Sequence, residues 1–273
     1  MGRIGDLFER LREEGRPGLL AYITAGDPAP DRTAGLVAAL ERGGADLIEL
    51  GVPFSDPIAD GPVIQRGADR ALRAGTTVAK VLDIAAEIRR RSEIPILLFT
   101  YLNPILRYGL DALARDAAAR GIDGCLMTDL SVEEADQYVA VMRQHGLDTV
   151  FLGAPTSTAE RLKLVAKFST GFVYLVSRAG VTGERDSLSQ AVQPLVEAMR
   201  NITDLPLAVG FGISTADHVR SVGAISDAVV VGSAFVRTVE QYGASAELEA
   251  KLEARTRELA IGLGTRAMPV RTV

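Results

Sequence analysis

Eight short apolar runs, separated by longer amphipathic stretches, constrain the fold of this 273-residue chain more than any other feature of its sequence. The runs are largely continuous rather than alternating, which is typical of parallel strands covered on both faces. They cover residues 19–24, 46–52, 96–101, 124–128, 148–153, 171–177, 206–210 and 227–232. The stretches between them show the apolar spacing of helices. The clearest cover residues 32–43, 78–91, 110–120, 132–145, 158–168, 190–200 and 215–222.

Eight strands alternating with helices are the number that a closed barrel requires, whereas an open doubly wound sheet normally stops at about five to seven. We therefore predict an α/β fold: a single (β/α)₈ TIM barrel over residues 1–273, with an extra helix at each end. Active sites of this architecture lie at the carboxyl ends of the strands. Each polar residue can accordingly be judged by the end of the strand that it occupies.

Charge and composition exclude several classes of function. The net charge of −5 argues against nucleic acid and acidic membranes as partners. One cysteine and two histidines predict no disulfide, no metal site and no catalytic triad. The sequence has no signal-peptide core and no apolar run near the ~20 residues of a membrane span. We expect a soluble cytoplasmic protein.

Two acidic residues stand near the carboxyl end of the second predicted strand. Glu49 lies among apolar strand residues, where burial raises the pKa of a carboxyl group and suits it to proton transfer near neutral pH. A structural role facing an arginine or backbone donors is the alternative. Asp60 follows in a proline-rich loop; it is either a second carboxylate at the barrel mouth or the N-terminal cap of the next helix.

Glycine turns follow the last two predicted strands. Gly212 and Ile213 lie after the seventh strand, and Gly232 and Ser233 lie after the eighth. Backbone N–H groups in such turns, next to helix N-termini, bind phosphate. We therefore expect a small phosphorylated substrate, with the long loop over residues 177–187 acting as a lid.

Several segments, in this order, resemble the tryptophan synthase α subunit family. They are AGDP at 25–28, LIELGVPFSDPIADG at 47–61, YLNP at 101–104, SRAGVTG at 177–183 and the two glycine turns. The resemblance covers nearly the whole chain. It implies cleavage of indole-3-glycerol phosphate to indole and glyceraldehyde 3-phosphate, in tryptophan biosynthesis, without a cofactor in this chain.

The resemblance also implies roles for individual residues. Glu49 would be the general acid–base, and Asp60 would accept a hydrogen bond from the indole N–H. The substrate pocket would contain Ile23, Phe99, Tyr101, Leu126, Tyr174, Thr182, Gly183 and Phe211. The phosphate would bind at Gly183, Gly212, Ile213, Gly232 and Ser233. We further expect that docking of a partner subunit on the rim of the barrel favours a closed lid, with Thr182 held near Asp60.

Members of the family pass indole to a β subunit that carries pyridoxal phosphate, in an α₂β₂ assembly. The expected interface residues are Pro53, Asp56, Asn103, Pro104 and Asp129. The chain has Ser131 where members commonly have proline, within this presumed interface. The alternatives are a stand-alone indole-3-glycerol-phosphate lyase and a catalytically silent phosphate-binding or allosteric barrel. No strand carries a lysine for Schiff-base chemistry, which disfavours another aldolase.

Overall fold

The computed structural model of the chain describes residues 2–176, 187–210 and 212–264. The strands are β1 (Gly18–Thr24), β2 (Leu47–Gly51), β3 (Ile96–Thr100), β4 (Gly124–Met127), β5 (Asp148–Thr149), β6 (Leu152–Gly153), β7 (Val173–Val176), β8 (Leu207–Gly210) and β9 (Ala228–Val231). The helices are α1 (Arg3–Glu13), α2 (Thr33–Gly43), α3 (Pro62–Arg73), α4 (Val78–Arg89), α5 (Leu102–Tyr108), α6 (Leu110–Ala119), α7 (Asp136–Gln144), α8 (Ala159–Phe168), α9 (Ser187–Arg200), α10 (Ala216–Gly223), α11 (Ser233–Tyr242) and α12 (Leu248–Ala260). Within these ranges, no helix has the length and apolar character needed to cross a membrane.

All strand pairs are parallel, and the sheet runs in the order β5-β4-β3-β2-β1-β9-β8-β7-β6. The two outer strands, β5 and β6, are consecutive pieces of the predicted fifth strand. Its first piece pairs with β4 and its second with β7. Between them, Val150 donates to the Cys125 carbonyl oxygen at 3.2 Å, and Phe151 accepts from the Tyr174 N–H at 3.1 Å. This segment therefore closes the ring, which confirms the predicted barrel with its eight strand segments.

Two apolar layers hold the barrel together. Outward-facing strand residues pack against the surrounding helices, as Ile48 and Leu98 do against that shell. Inward-facing residues of the amino-terminal half meet the apolar face of α1, which closes that end of the barrel. The face of α1 that does so consists of Ile4, Leu7, Phe8 and Leu11. Because α1 fills this end, the interior is open to a ligand only at the carboxyl ends of the strands.

The helix predicted over residues 132–145 is interrupted. Residues Val132–Glu134 form one 3₁₀ turn, and α7 begins at Asp136. The Ser131 hydroxyl donates to the Glu133 carboxylate instead of capping the turn. The short helix α5, directly after β3, was also absent from the predicted helices. Its Leu102 N–H donates to Asp129 Oδ1 at 2.7 Å, so a side chain from the loop after β4 supports its start.

Candidate active site

The inward face of the barrel changes character near the carboxyl ends of the strands. Tyr22, Glu49, Phe99 and Tyr174 hold inward positions there, one pleat beyond the leucine and phenylalanine positions that meet α1. Tyr22 is the register partner of Glu49, and the rings of Tyr22 and Phe99 meet edge to face, with centroids 5.2 Å apart. Leu126 on β4 is the register partner of Phe99 and belongs to the same inward apolar cluster. These side chains form an aromatic pocket around a single carboxyl group.

The structure corrects the expected position of Ile23. Successive residues of a strand face opposite sides of a sheet, and Ile23 packs in the layer between the sheet and the helices. Its neighbour Tyr22 occupies the inward position instead. Within LLAYIT the hydroxyl-bearing residues Tyr22 and Thr24 alternate with the apolar Ala21 and Ile23, and this alternation is the sequence signal that places Tyr22 on the inward face.

Glu49 lies on β2 with 1% of its surface exposed. Its Oε1 atom has no hydrogen-bond partner among the residues that the structure describes. Burial raises its pKa to about 8, because the charged form loses its hydration. Among the described residues, no arginine or backbone donor holds this atom, which disfavours the alternative of a structural carboxylate. With a pKa of about 8, Glu49 is mainly protonated at neutral pH, and its position on β2 faces the pocket.

Asp60 lies above the pocket, at the end of the loop that leads from β2 to α3. The N-cap of α3 is Gly61, so the interpretation of Asp60 as a helix cap is wrong. Asp60 Oδ2 instead accepts a hydrogen bond from the Tyr101 hydroxyl at 3.0 Å. Partial burial raises the Asp60 pKa to about 6, and this hydrogen bond opposes the rise by stabilising the carboxylate.

Tyr101 also anchors the loop that carries Asp60. Its hydroxyl oxygen accepts the Ala59 N–H at 3.1 Å, and its ring packs on Phe54, with centroids 5.3 Å apart. The Gln65 side chain donates to the Asp60 carbonyl oxygen at 2.8 Å. Tyr101 thus contacts the loop at three points: the Phe54 ring, the Ala59 N–H and the Asp60 carboxylate. This contact joins the end of β3 to residues about forty positions earlier, and sequence reasoning gave Tyr101 only a place in the pocket.

The glycine turns at the other side of the mouth differ in how their helices begin. The first helical turn of α10 is capped, since Thr215 Oγ1 accepts the His218 N–H at 3.2 Å. The N-cap of α11 is Gly232, which has no side chain to accept its N–H groups. The first N–H groups of a helix have no acceptor within it and favour an anion. Gly232 and the exposed Ser233 therefore provide the better anion site.

The turn before α10 lies beside this helix start. Gly212 has a φ of +73°, a left-handed conformation that glycine adopts without strain, and Ile213 is buried. Arg255 of α12 donates to the Ser214 carbonyl oxygen at 2.5 Å, which ties the turn to the last helix. The predicted residues Thr182, Gly183 and Phe211 lie outside the described residues, as does the segment 177–186 expected to form a lid.

The rim of the mouth carries the residues predicted for a partner. Asp56, Asn103 and Asp129 are exposed, Pro104 is half-buried and Pro53 is buried. Pro53 therefore presents little surface to another protein, and Asp129 supports the start of α5 as well. Two exposed apolar side chains stand on the same rim, and neither was among the predicted interface residues. They are Ile58, which is 83% exposed, and Leu106, which is 61% exposed.

A buried ion pair braces this rim. Asp27, from the AGDP segment after β1, is 2% exposed and accepts two hydrogen bonds of 2.8 Å from Arg70 of α3. Arg70 also pairs with Glu240 of α11 at 3.0 Å. This pair links α3, the helix that follows Asp60, to α11, whose N-cap is Gly232. Among the described residues, no group of His, Cys, Asp and Glu side chains could hold a metal ion.

Comparison with known proteins gives one consistent result. The sequence matches the family model for the tryptophan synthase alpha chain over residues 8–263. It is 69% identical over 267 residues to the tryptophan synthase alpha chain of Solibacter usitatus, covering 98% of this chain and 100% of that one. Tryptophan synthase subunit alpha from Legionella pneumophila has a TM-score of 0.89 at 37% identity, covering 96% of this chain and 98% of that one. A tryptophan synthase structure from Mycobacterium tuberculosis gives 0.87 at 39%, with the same coverage.

The fold and the site define a class, a (β/α)₈ barrel with two carboxyl groups of different acidity at the mouth of an aromatic pocket. The alignments extend over nearly all of this chain and of the proteins compared with it. The chain belongs to the tryptophan synthase alpha chain family.

Proposed function

We propose that this chain is a carbon–carbon lyase that cleaves indole-3-glycerol phosphate to indole and glyceraldehyde 3-phosphate. The observation that carries the proposal is the difference between two carboxyl groups at one barrel mouth. Burial raises the pKa of Glu49 to about 8, whereas that of Asp60 is about 6. At neutral pH the first is mainly protonated and the second mainly ionised. Such a separation assigns an acid and a charge-stabilising base to one site.

Glu49 performs the proton transfers. Cleavage needs a proton on indole C3 and the loss of a proton from the hydroxyl group on the adjacent side-chain carbon. Protonation of C3 makes the ring an electron sink, and the pair of the breaking carbon–carbon bond returns to the ring as the hydroxyl becomes an aldehyde. Glu49 gives the first proton and, as a carboxylate, takes the second. A pKa near the working pH suits one group to both steps.

Asp60 stabilises the ring cation that forms between these two steps. Its carboxylate accepts the indole N–H, whose positive charge grows when C3 is protonated. Tyr101 occupies Oδ2 and holds the carboxylate ionised, so that the other oxygen can face the ring. Electrostatic stabilisation of a developing charge by a preorganised group is commonly a large part of catalysis.

The phosphate group binds at the N-terminus of α11, at Gly232 and Ser233, next to Gly212 and Ile213. Within the described part of the chain, the first N–H groups of α11 have no side-chain cap, and they lie at the positive end of the helix dipole. The ion pair between Arg70 and Glu240 fixes the distance between the phosphate site and the loop that carries Asp60. Indole and phosphate would thus be held at opposite sides of the mouth, with the glycerol chain above Glu49.

The partner is a tryptophan synthase β subunit, which carries the pyridoxal phosphate, in an α₂β₂ assembly. The support for a protein partner is the exposure of Ile58 and Leu106 on the same rim as Asp56 and Asn103. Isolated exposed apolar residues are common on protein surfaces, but two of them beside the mouth favour a docking surface. Docking there would act directly on the Asp60 loop.

The test supplies indole-3-glycerol phosphate to the purified chain, with and without a β subunit, and follows indole release. The chain has no tryptophan, so indole fluorescence is seen against a low background. We expect slow release by the chain alone and acceleration on adding β, within the roughly 5- to 150-fold range of typical coupling between sites. Full activity without β would favour a stand-alone lyase, and no release in either condition would contradict the proposed reaction.

Substitutions on the rim test the partner surface separately. Ile58→Asp and Leu106→Asp should lower the affinity for β while leaving the slow basal reaction in place. Ile261→Asp is the matched control, because Ile261 is 68% exposed but belongs to the 3₁₀ turn after α12. Equal affinity for β in all three variants would place the docking surface elsewhere.

A further inference from the structure

The Tyr22 hydroxyl is a buried polar group that the reaction described above does not use. Tyr22 is 7% exposed and is the register partner of Glu49 on the neighbouring strand. Its ring is fixed against Phe99, with an interplanar angle of 76°. The hydroxyl is therefore held in a defined place beside the group proposed to transfer protons.

The contact with Gly51 locates this hydroxyl along the barrel axis. A Cβ atom on Gly51 would lie only 2.4 Å from Tyr22 Oη, so glycine is what leaves room for the hydroxyl. Gly51 is two residues beyond Glu49 on the same strand and therefore faces the same side of the sheet. Tyr22 Oη thus lies one level above Glu49, toward the mouth and Asp60.

The polar atoms at this level lack good partners within the described part of the chain. Tyr22 Oη has one hydrogen bond there, a long contact of 3.4 Å with Thr24 Oγ1. Thr24 is itself 2% exposed, and Glu49 Oε1 has no partner. Buried tyrosine hydroxyls usually find a close partner, because an unsatisfied one costs desolvation energy. Three under-bonded polar side chains on adjacent strands are placed to bind a molecule with several hydroxyl groups.

The electrostatic surroundings decide the role of the hydroxyl. Burial, with a further contribution from the nearby Asp60 carboxylate, raises the pKa of Tyr22 well above its ordinary value. The phenol therefore keeps its proton throughout the range in which Glu49 and Asp60 titrate. It can donate a hydrogen bond to an oxygen atom of a ligand, but it does not act as a base.

We propose that Tyr22 Oη and Thr24 Oγ1 bind the hydroxyl groups of the glycerol chain, so that Tyr22 determines the preference for a hydroxylated chain over an apolar one. The inference rests on the proposed cleavage of indole-3-glycerol phosphate and adds a binding residue to it. Tyr22 would donate to a chain hydroxyl above Glu49, which orients the carbon whose hydroxyl proton Glu49 removes.

The test compares wild type with Tyr22→Phe, which removes one oxygen atom and keeps the ring packed on Phe99. Two quantities are measured: kcat/KM for indole-3-glycerol phosphate, and the inhibition constant of indole-3-propyl phosphate, which has the same ring and phosphate but no chain hydroxyls. A neutral hydrogen bond contributes about 0.5–1.5 kcal/mol, so we expect kcat/KM to fall about 3- to 10-fold. The inhibition constant should change by less than a factor of two, which corresponds to a change in binding free energy of ~0.4 kcal/mol or less.

Tyr138→Phe is the matched control. Tyr138 is also buried, but its hydroxyl donates to the Cys125 carbonyl oxygen at 2.7 Å in the layer between sheet and helices. Its loss should lower stability without changing either kinetic constant. Two results would overturn the inference: an unchanged kcat/KM in Tyr22→Phe, or a loss of affinity for the propyl analogue as large as the fall in kcat/KM for the substrate. In either case, turnover by the wild type would still support the proposed function. An inactive wild type would contradict both.

Discussion

The two halves of the barrel interior differ sharply, although the same strands build both. In the amino-terminal half, inward leucines of three neighbouring strands meet the apolar face of α1; they are Leu20, Leu47 and Leu97. Two residues further along the same strands, the inward positions hold Tyr22, Glu49 and Phe99. One pleat of about 7 Å therefore separates a closed apolar core from a pocket whose acid, Glu49, has no partner for Oε1 among the described residues.

This difference indicates that one half of the barrel interior mainly stabilises the fold and the other half carries the reacting groups. The half closed by α1 can bury its side chains completely, because it has no ligand to admit. In the half at the strand ends, as far as the described residues show, Glu49 Oε1 is buried without a partner, which costs free energy that the rest of the core must offset. Substitutions in the two halves should accordingly have opposite signatures, one on folding and the other on turnover.

The largest effect should come from Glu49→Gln. The amide keeps the shape of the side chain but cannot transfer a proton, and general acid–base catalysis typically contributes about 10²- to 10⁴-fold. Indole release should fall at least that far while the far-ultraviolet circular dichroism and phosphate binding are retained. Turnover near the wild-type rate in this variant would remove Glu49 from the proposed role.

Leu47→Ala, one pleat below Glu49, should show the reverse pattern. Truncation of a fully buried leucine leaves a cavity and typically costs about 2–5 kcal/mol of unfolding free energy. We expect a clear loss in urea or thermal denaturation, with kcat/KM of the folded protein changed less than threefold. A fall in kcat/KM of the folded protein well beyond threefold would mean that the amino-terminal half of the barrel also determines turnover.

The same acid should limit stability at high pH. The folded-state pKa of Glu49 is raised to about 8, so the folded protein binds a proton more tightly than the unfolded chain does. Its contribution to wild-type stability is therefore full at low pH and is lost as the pH rises toward 8. Glu49→Gln has no such proton to lose. Thermal denaturation at pH 5 and pH 9 measures the free energy of unfolding of both proteins. The value for Glu49→Gln relative to wild type should increase from pH 5 to pH 9, by a few kcal/mol at most.

Tyr101→Phe should have the smallest of these effects and the most specific one. In wild type the hydrogen bond from Tyr101 to Asp60 Oδ2 lowers the Asp60 pKa. The substitution removes this bond and also leaves the Ala59 N–H without its acceptor. The Asp60 pKa should rise, so the acid limb of kcat/KM against pH should move to higher pH. A fall of about 10-fold at pH 7 is expected from losing a hydrogen bond to a charged group. A uniform decrease at every pH would indicate a role in loop structure alone.

The fold could be predicted from the sequence because the signals for strands and helices lie in neighbouring residues. Short apolar runs predicted all eight strand segments. The phase of a strand is different information. In β1 the hydroxyl-bearing Tyr22 and Thr24 share one face, while Ala21 and Ile23 share the other; the prediction of Ile23 as a pocket residue overlooked this alternation.

The candidate site was predictable residue by residue but not as an arrangement. Glu49 and Asp60 were identifiable as carboxylates at a strand end, and the glycine turns as an anion site. The hydrogen bond between Tyr101 and Asp60 joins positions 41 residues apart, and the brace from Arg70 to Asp27 joins positions 43 apart. Such contacts depend on which strand ends become neighbours. Exposure is equally a property of the fold, which is why Ile58 and Leu106 were not foreseen.

The protonation state of Glu49 is the central claim, and difference infrared spectroscopy measures it directly. The carboxylic-acid band present in wild type and absent from Glu49→Gln reports that one side chain, and it can be followed from pH 4 to pH 10. The structure predicts that this band persists at pH 7 and disappears with a midpoint of about 8. Disappearance with a midpoint near 4.5, the ordinary value for glutamate, would contradict the account.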